Sequence, residues 1–437
     1  MKQPVSSMPL NPISFIKKYD ELWRRMLFLF GALVVYRLGS HIPVPGMNPI
    51  SLAQFFDNSQ NTILGMFNMF SGGALERMSI MALGIMPYIS ASIVVQMMSA
   101  VVPSLDALKK EGEQGRRTLN KYTRQGTLAL AFVQAVVMST GLISQGLTLT
   151  SGMAFYVPAV TSLVAGSMFL MWLGEQITER GVGNGISMLI FASIVSGMPG
   201  MITGVLQADG SSLIVSFIFG VLALLVTAAI VYIERAQRRI PVNYAQKQPE
   251  GRKVYAQQQS HLPLKINMAG VIPAIFASSL LLVPASLGQW ATSAKNPTAV
   301  QAFLQNVTLL LSPGKPMYLM LFAVMIIFFC YFYTALVFSP REVSENLKKS
   351  GAYIPGIRPG QNTQRYLDFV LNRLTFIGAM YMTIICLMPM VAQSAFGVPF
   401  QLGGTSLLIM VVVIMDFIAQ IQAHLMTHQY SDQTLIK

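Results

Sequence analysis

Charged residues are scarce in this chain. Asp, Glu, Lys and Arg together make up 11% of its 437 residues, and 53% of the residues are hydrophobic. In a typical soluble domain about a quarter of the residues are charged. The mean hydropathy of this chain is +0.54. The composition therefore excludes an ordinary soluble domain and indicates a polytopic membrane protein.

Cysteine and histidine are also rare, and this argues against two kinds of site. The chain has two cysteines and four histidines. Cys330 and Cys386 both lie within apolar runs, so the loops carry no disulfide framework and no metal-ligand spacing. No nucleophile, base and orienting group occur together, and no glycine-rich loop follows a strand to bind phosphate. We therefore predict that the chain is not an enzyme and holds no metal or other cofactor.

Long apolar runs dominate what is present. A helix needs about twenty residues to cross a bilayer core of roughly 30 Å. About ten runs approach this length, at residues 26–42, 78–102, 126–147, 153–173, 186–206, 213–233, 266–287, 318–338, 374–391 and 404–426. The predicted fold is all-α, with about ten transmembrane helices.

Basic residues lie almost entirely on one side of these predicted spans. That side carries the N-terminal segment 1–25, the tail 427–437 and the long basic loops, whereas the other side keeps only Lys295 and Lys315, with Arg37 and Arg77 next to helix ends. An excess of Lys and Arg marks the cytoplasmic loops of membrane proteins. We therefore expect both termini in the cytoplasm.

The stretch 62–92 begins with an apolar piece that is too short to span. Residues 62–70 offer about nine mostly apolar positions before Ser71, Gly72 and Gly73, and a full-length run interrupted by Pro87 follows. Irregular backbone at membrane depth survives only inside protein or beside a cavity. The pattern predicts a re-entrant segment over 62–75, next to a pathway through the membrane, and then a spanning helix.

Ten spans divide into two sets of five, and the second set then starts from the opposite side of the membrane. The predicted halves cover residues 26–206 and 207–426. GIMPYISAS at 84–92 aligns with GVIPAIFAS at 270–278, which holds the corresponding place in the second half. Interrupted helices at equivalent places of an inverted repeat indicate a translocation site between the halves.

Acidic residues inside the predicted spans are few. Asp416 lies in the tenth span, and Glu175 lies at the cytoplasmic end of the fourth. An ionisable residue inside a membrane is a functional candidate by default. A proton- or sodium-coupled carrier usually needs a relay of such groups, and the sequence shows none. A secondary transporter of a small solute therefore stays as the alternative to a passive channel that is powered by partners.

Two basic loops are longer than a simple connection requires. The loops 234–265 and 339–373 combine Arg and Lys with aromatic, Pro and Gly residues, as in YIPGIRPG at 353–360. The positive-inside rule explains charges near helix ends but not ordered turns in loops of about thirty residues. Clustered Arg favours phosphate and carboxylate. We expect these loops to dock a large cytoplasmic partner, and an RNA-containing partner is one candidate.

Six longer motifs are more specific than any of these patterns. They are FNMFSGGAL at 67–75, ALGIMPYISASI at 82–93, MWLGEQITERGVGNGIS at 171–187, HLPLKINMAGVIPAIFASS at 261–279, NLKKSGAYIPGIRPG at 346–360 and GGTSLLIMVVVIMDF at 403–417. Together they resemble the SecY family of bacterial protein-conducting channels. The resemblance runs through nearly the whole chain and is weakest in the N-terminal tail, around Asp209 and over 289–316.

This resemblance implies an hourglass channel with a lateral gate between span two and spans seven and eight. Such a channel is the central subunit of the Sec protein translocase, and it passes unfolded secretory polypeptides across the cytoplasmic membrane and releases hydrophobic segments into lipid. The family's pore ring maps onto Ile85, Ile89, Ile186, Ile190, Ile275 and Ile409. Its plug maps onto Thr62, Met66, Phe67, Asn68, Met69, Phe70, Ser71, Gly72 and Gly73.

The resemblance also implies partners. Arg239, Arg252 and Lys253 match basic positions that contact the ribosome or the SecA motor, and Arg358 matches the key arginine of the next cytoplasmic loop. Position 253 holds Lys where the family often has Arg, which puts a bidentate contact there in doubt. SecE and SecG are the implied membrane partners, with YidC as an accessory. Secretory and membrane proteins with signal sequences are the implied substrates, and the bacterial inner membrane is the implied location.

Overall fold

The chain folds into a bundle of helices with one small sheet. The computed structural model describes residues 20–59, 65, 68, 71–150, 152–207, 213–244, 260–291, 315–396 and 403–434. Its helices are α1 (Asp20–Gly39), α2 (Pro49–Ser59), α3 (Met86–Val101), α4 (Pro103–Lys110), α5 (Glu113–Ser144), α6 (Met153–Arg180), α7 (Gly185–Gln207), α8 (Leu213–Arg235), α9 (Ile272–Ala291), α10 (Pro316–Val337), α11 (Pro340–Lys349), α12 (Gln361–Phe396) and α13 (Gly404–Thr434). Its strands are β1 (Gln237–Tyr244), β2 (Ser260–Lys265) and β3 (Ala352–Tyr353).

Each of the ten predicted spans overlaps one of these helices, and the protein is a polytopic helical membrane protein. Within the described ranges, five helices are long and apolar enough to cross a membrane alone, and six spans result if α3 and α4 are counted as one bent span. The helix α1 is 20 residues long but is not among the five, because it carries Arg24, Arg25 and Arg37 besides its acidic start.

The second predicted span differs from its expected form. The run 78–102 predicts a spanning helix, but residues 71–85 form turns and α3 begins only at Met86. Pro87 lies in the first turn of α3, where its missing N–H costs no hydrogen bond, so it starts the helix and does not interrupt it. The 16 residues of α3 reach about 24 Å, and α4 then departs at an angle of 99°.

The two aligned segments, 84–92 and 270–278, have the same local conformation. Gly84 has a φ of +59° and Gly270 has a φ of +60°, and each lies two residues before a helix, α3 or α9. Glycine adopts a positive φ without steric cost, and a proline follows in the first turn of each helix. The sequence match between the two halves therefore has a structural counterpart.

The main hydrophobic core joins the two predicted halves. It combines buried side chains of α1, α3, α6 and α7 with others from α8, α9, α10, α12 and α13. A second cluster packs the turns of 71–85 against α2, α5 and α6. A third, smaller cluster lies between the sheet and α12. The turns that precede α3 are therefore held by packing on one side and face the main core on the other.

Candidate functional site

Four of the six predicted ring isoleucines surround one small cavity. The cavity measures about 20 Å³, which is room for about one water molecule. Its isoleucines are Ile85, Ile89, Ile190 and Ile275, and they come from α3 and its N-cap, from α7 and from α9. Ile85 is 8% exposed and Ile275 is 6% exposed. Their aliphatic side chains offer no polar atom to an ion, so this part of the wall resists water and ions.

The remaining two isoleucines belong to the surrounding cluster. Ile409 of α13 is fully buried in the main core, and Ile186 at the start of α7 is partly buried against it. Ile186 lies beside Gly174 of α6, where a Cβ would come within 3.3 Å of its Cγ1 atom. The structure thus brings four predicted ring residues to one cavity and the other two to the core around it.

The helices α3 and α9 are in contact along the predicted lateral gate. The Ser279 hydroxyl of α9 donates a hydrogen bond to the Met86 sulfur of α3 at 3.6 Å. Near the end of the bundle that carries the basic loops, Lys109 Nζ of α4 donates to the Leu336 carbonyl oxygen of α10 at 3.5 Å. The two sides of the predicted gate therefore meet at two levels.

Four of the nine predicted plug residues are described: Asn68, Ser71, Gly72 and Gly73. The other five lie outside the described residues: Thr62, Met66, Phe67, Met69 and Phe70. The Asn68 side chain donates to the Glu76 carboxylate at 3.1 Å and accepts from the Glu76 backbone N–H at 2.9 Å, which closes a loop over 68–76. Ser71 lines the same cavity as the ring isoleucines. The turn at 71–75, which we call the capping turn, thus lies directly against the ring.

Two residues that the sequence does not single out hold the capping turn. The Tyr36 hydroxyl lies 3.2 Å from the Ser71 carbonyl oxygen, and Arg37 Nη1 donates to the Gly72 carbonyl oxygen at 2.9 Å. Both residues lie on α1. One signal for Arg37 was available, because it lies on the side of the membrane where Lys and Arg are rare and the positive-inside rule does not explain it. Tyr36 gave no such signal.

The two predicted docking loops form one sheet. The strand β1 pairs with β2, with Arg239 opposite Pro263, and with β3, with Asn243 opposite Tyr353, in the order β2-β1-β3. Both pairings are antiparallel. The strand β1 alternates between exposed and buried residues, and Ile240 packs over α12 in the third hydrophobic cluster. A sheet that is fixed on a spanning helix presents its basic residues on a firm support.

Arg239 and Arg358 are exposed, whereas Arg252 and Lys253 lie outside the described part of the chain. Arg358 lies in a turn between Gly356, with a φ of +80°, and Gly360, with a φ of +104°. Its carbonyl oxygen accepts a hydrogen bond from the Thr363 hydroxyl at 3.1 Å. The backbone of the turn is therefore fixed while the guanidinium projects from the surface.

The two acidic candidates have different surroundings. Glu175 of α6 makes a bidentate ion pair with Arg124 of α5, with N–O distances of 3.0 and 2.7 Å. Asp416 is exposed and lines a second cavity of about 130 Å³ between α7, α9 and α13. Within the described ranges, no group of three or more His, Cys, Asp or Glu residues could hold a metal ion. Glu175 thus ties two helices together, and Asp416 faces an open cavity.

The geometry agrees with what comparisons with known proteins find. The family model of SecY matches residues 79–418. The protein translocase subunit SecY of Pseudomonas aeruginosa is 60% identical over 414 residues, which cover 94% of this chain and 92% of that protein. The subunit of the same name from Escherichia coli strain K12 is 56% identical over 417 residues, covering 94% of this chain and 93% of that protein.

Solved structures share the fold at much lower identity. A protein-conducting channel matches with a TM-score of 0.66 and 15% identity, over 98% of this chain and 96% of that chain. Sec61 from the canine ribosome-channel complex of the endoplasmic reticulum matches with a TM-score of 0.63 and 14% identity, over the same shares. Since the family match spans most of the chain and relatives this similar cover nearly all of it, the chain belongs to the SecY family.

Proposed function

We propose that this chain is the channel subunit of a bacterial Sec protein translocase, which passes unfolded polypeptides across the inner membrane and releases hydrophobic segments into lipid. The observation that carries the proposal is the aliphatic constriction beneath the capping turn, at the junction of the two halves 26–206 and 207–426. The family membership supports the same function.

A ring of branched aliphatic side chains suits a channel whose cargo changes from one substrate to the next. It excludes water and ions at rest by hydrophobicity and close packing. It makes no fixed hydrogen bonds with a substrate, so its side chains can yield around any passing sequence. In this chain we assign that role to the four isoleucines at the cavity together with Ile186 and Ile409.

The interface of α3 with α9 and α10 is the proposed lateral gate. Two polar contacts are described across it, from Ser279 to Met86 and, from the adjoining α4, from Lys109 to Leu336. Both are single hydrogen bonds at long distances, so they add little to the cost of parting the helices. A segment in an open gate then partitions between channel and lipid. Each Leu or Ile favours insertion by roughly 0.3–0.6 kcal/mol and a central charge opposes it by about 2.5–3.5 kcal/mol, so apolar segments leave sideways and charged ones continue.

The capping turn and the segment before it are the proposed plug, 62–75. In a solved SecY relative with 17% identity and a TM-score of 0.64, the plug domain stabilises the closed state of the translocation channel and maintains a membrane seal. The corresponding turn of this chain lies against the ring, as a plug must. We therefore infer that it stabilises the closed state here.

The sheet-bearing end of the bundle is the proposed docking surface for the ribosome and for the SecA motor. Exposed Arg239 and Arg358 offer guanidinium groups that bind phosphate or carboxylate in a bidentate manner, and Arg252 and Lys253 follow from the resemblance. One solved structural neighbour comes from a ribosome-channel complex. The excess of Lys and Arg on the side of the sheet supports the further proposal that both termini lie in the cytoplasm.

SecE and SecG are the proposed membrane partners, and YidC is a proposed accessory. Many large hydrophobic side chains on the helix surfaces are exposed, such as Leu224 and Leu225 of α8 and Met320 of α10. These apolar faces suit contact with lipid tails or with neighbouring helices, because their side chains need no hydrogen bonds. The proposed substrates are secretory and membrane proteins with signal sequences.

The test of the proposal is translocation by the reconstituted chain. Vesicles that contain this chain with SecE and SecG receive a secretory precursor, with and without SecA and ATP. We expect protection of the precursor from external protease only when SecA and ATP are both present. A parallel reconstitution with a relative of known activity serves as the control. Absence of protection while that control works would contradict the proposed function.

The substitution Asp416→Asn tests whether the chain is a passive channel or a coupled carrier. In a carrier driven by protons or sodium, loss of the carboxylate abolishes transport. Because Asp416 lies in an open cavity and not among the ring isoleucines, we expect the variant to translocate precursor at a rate within about twofold of the parent. The measurement is the initial rate of protease protection, with Glu175→Gln as a comparison. A complete loss for Asp416→Asn alone would contradict a passive channel in which this carboxylate has no part.

A further inference from the structure

Two consecutive carbonyl groups of the capping turn are held by two consecutive residues of α1. The Ser71 carbonyl oxygen lies 3.2 Å from the Tyr36 hydroxyl, and the Gly72 carbonyl oxygen accepts from Arg37 Nη1 at 2.9 Å. The helix α7 completes both contacts. Its Ser193 hydroxyl lies 2.6 Å from the Tyr36 hydroxyl, and its Ser196 hydroxyl accepts from Arg37 Nη1 at 3.0 Å.

The protons of these groups suffice for one continuous network. Each hydroxyl carries one proton and the Arg37 Nη1 atom carries two. The Ser193 hydroxyl lies 2.8 Å from the Leu189 carbonyl oxygen as well as 2.6 Å from the Tyr36 hydroxyl, and its one proton serves one of them at a time. When Ser193 donates to Tyr36, the Tyr36 proton is left for the Ser71 carbonyl oxygen. Arg37 uses one Nη1 proton for the Gly72 carbonyl oxygen and the other for Ser196. With this proton arrangement the contacts that reach the capping turn are all satisfied, and they join α1, α7 and the turn.

The turn also meets α7 backbone to backbone. Gly72 has a φ of +68°, and a Cβ at this position would lie 2.9 Å from Ser196 Oγ and 3.0 Å from Ser193 Cα. A side chain there would push the turn off the helix. Ser193 and Ser196 are three residues apart, so they lie on one face of α7, the face that meets the turn.

These hydrogen bonds are buried, so water cannot replace them when they are lost. Tyr36 is 3% exposed, Ser71 is 3% exposed and Ser193 is 2% exposed. A buried carbonyl group that loses its donor has no water to replace it. The same three residues line the cavity of the ring isoleucines. The network therefore lies at the constriction itself, where a change in the position of the turn alters the wall of the cavity.

We propose that Tyr36, Arg37, Ser193 and Ser196 form a latch that holds the capping turn against the pore ring and sets how readily the channel opens. They are positioning residues, because they act on the turn and not on the substrate. This inference rests on the proposed function and adds the groups that control the resting state. Opening of the channel then requires that the turn give up its bonds to α1 and α7 together.

A buried alanine reports the state of the latch directly. Ala74 in the capping turn has no exposed surface, and the two native cysteines are free but buried. In the Ala74→Cys chain, reconstituted with SecE and SecG in lipid nanodiscs, a water-soluble maleimide reads access to the turn. We expect Tyr36→Phe with Arg37→Gln to raise the labelling rate about tenfold, since the two buried carbonyl groups lose their shorter hydrogen bonds and keep only contacts of 3.4 Å, from the Ala74 N–H and the Ser196 hydroxyl. The ion conductance of the same variants, without Ala74→Cys, is expected to rise in planar bilayers.

Three further variants distinguish loss of the latch from a general loss of packing. Tyr381→Phe removes another buried tyrosine hydroxyl, one without a hydrogen-bond partner among the described residues, so it should leave labelling and conductance unchanged. Arg37→Lys keeps a charged nitrogen with protons for both the Gly72 carbonyl oxygen and Ser196 Oγ, which a single nitrogen of Arg37 contacts, so it should restore most of the protection. Ser193→Ala should add little to Tyr36→Phe, because both act on one chain of bonds.

The outcomes are distinct. Unchanged labelling in the Tyr36→Phe, Arg37→Gln variant would overturn the latch. Raised labelling without raised conductance would overturn its role in closing the channel. Failure of the parent chain to translocate precursor would instead count against the proposed function, and the labelling experiment would still report whether the four side chains hold the turn.

Discussion

Simultaneous replacement of Ile85 and Ile275 by asparagine is expected to make resting channels conduct ions. Both side chains line the 20 Å³ cavity beneath the capping turn. Burial of an isoleucine contributes about 1.5–3 kcal/mol, and asparagine in its place offers a donor and an acceptor that hold water. The closed, dry arrangement thereby loses several kcal/mol relative to a hydrated one.

The expected size follows from that difference. Every 1.4 kcal/mol corresponds to a factor of about ten in population, so the resting conductance should rise by about a hundredfold or more. The measurement is the current through planar bilayers that contain the variant with SecE and SecG and no precursor. The double variant Ile85→Val, Ile275→Val keeps aliphatic side chains and should stay near the parental conductance.

The result also discriminates between a ring and simple core packing. If the two isoleucines only pack the core, the asparagine variant loses thermal stability but its folded fraction stays closed to ions. Conductance and thermal unfolding are therefore measured on the same preparation. A parental conductance in a folded double variant would contradict the assignment of the ring.

The sequence predicts the helices well because apolar length is a local property. Each of the ten predicted spans overlaps a helix, since a run of about twenty apolar residues can cross a bilayer only as a helix or in a closed barrel. The start of α3 is less predictable. Residues 78–85 are as apolar as the helix that follows, and only their packing against α2, α5 and α6 makes them turns.

The site is predicted in part, and its missing members are distant in sequence. The spacing of Ile85 and Ile89 predicts a shared helical face, but the cavity that this face meets is a tertiary feature. The hydrogen bond between Tyr36 and Ser193 joins residues 157 positions apart. A lone tyrosine in an apolar run carries no periodic signal, so the sequence does not distinguish it from a residue of the core.

The contact between the two docking loops is likewise not predictable from the sequence. Their composition predicts a partner surface, yet Asn243 pairs with Tyr353, and three described helices, α9, α10 and α11, lie between these two residues along the chain. Strand pairing between distant segments depends on which ends of the bundle the helices bring together. The structure therefore adds the common support on α12, which composition alone does not reveal.

Arg358→Glu is expected to block motor-driven translocation while the protein stays folded. Arg358 lies in a turn whose backbone is fixed by two glycines with positive φ and by the bond from the Thr363 hydroxyl. The side chain is exposed, so its replacement removes no core packing and leaves the turn intact. At the proposed docking surface, however, a guanidinium is replaced by a carboxylate.

The loss should be large because it combines a missing contact with a repulsive one. Truncating one member of a buried charge pair at an interface costs about 2–5 kcal/mol, and a carboxylate in place of the guanidinium also repels the anionic group that the arginine is proposed to bind. With 1.4 kcal/mol for each factor of ten, the rate of SecA-driven protection should fall by about thirtyfold or more. Arg358→Lys keeps the positive charge but not the bidentate geometry of the guanidinium, so its rate of protection should lie between those of the parent and of Arg358→Glu.

Arg341→Glu makes the same change on α11, at an exposed arginine of the same loop that pairs with Glu345 in its own helix. Such an exposed pair contributes at most about 0.5 kcal/mol, so this variant should translocate nearly as well as the parent. Rates of protease protection are compared with thermal unfolding for all three variants. A normal rate for Arg358→Glu would refute the docking role of this arginine. An equal loss for Arg341→Glu would show that the motor reads the net charge of the loop and not the position that the turn gives to Arg358.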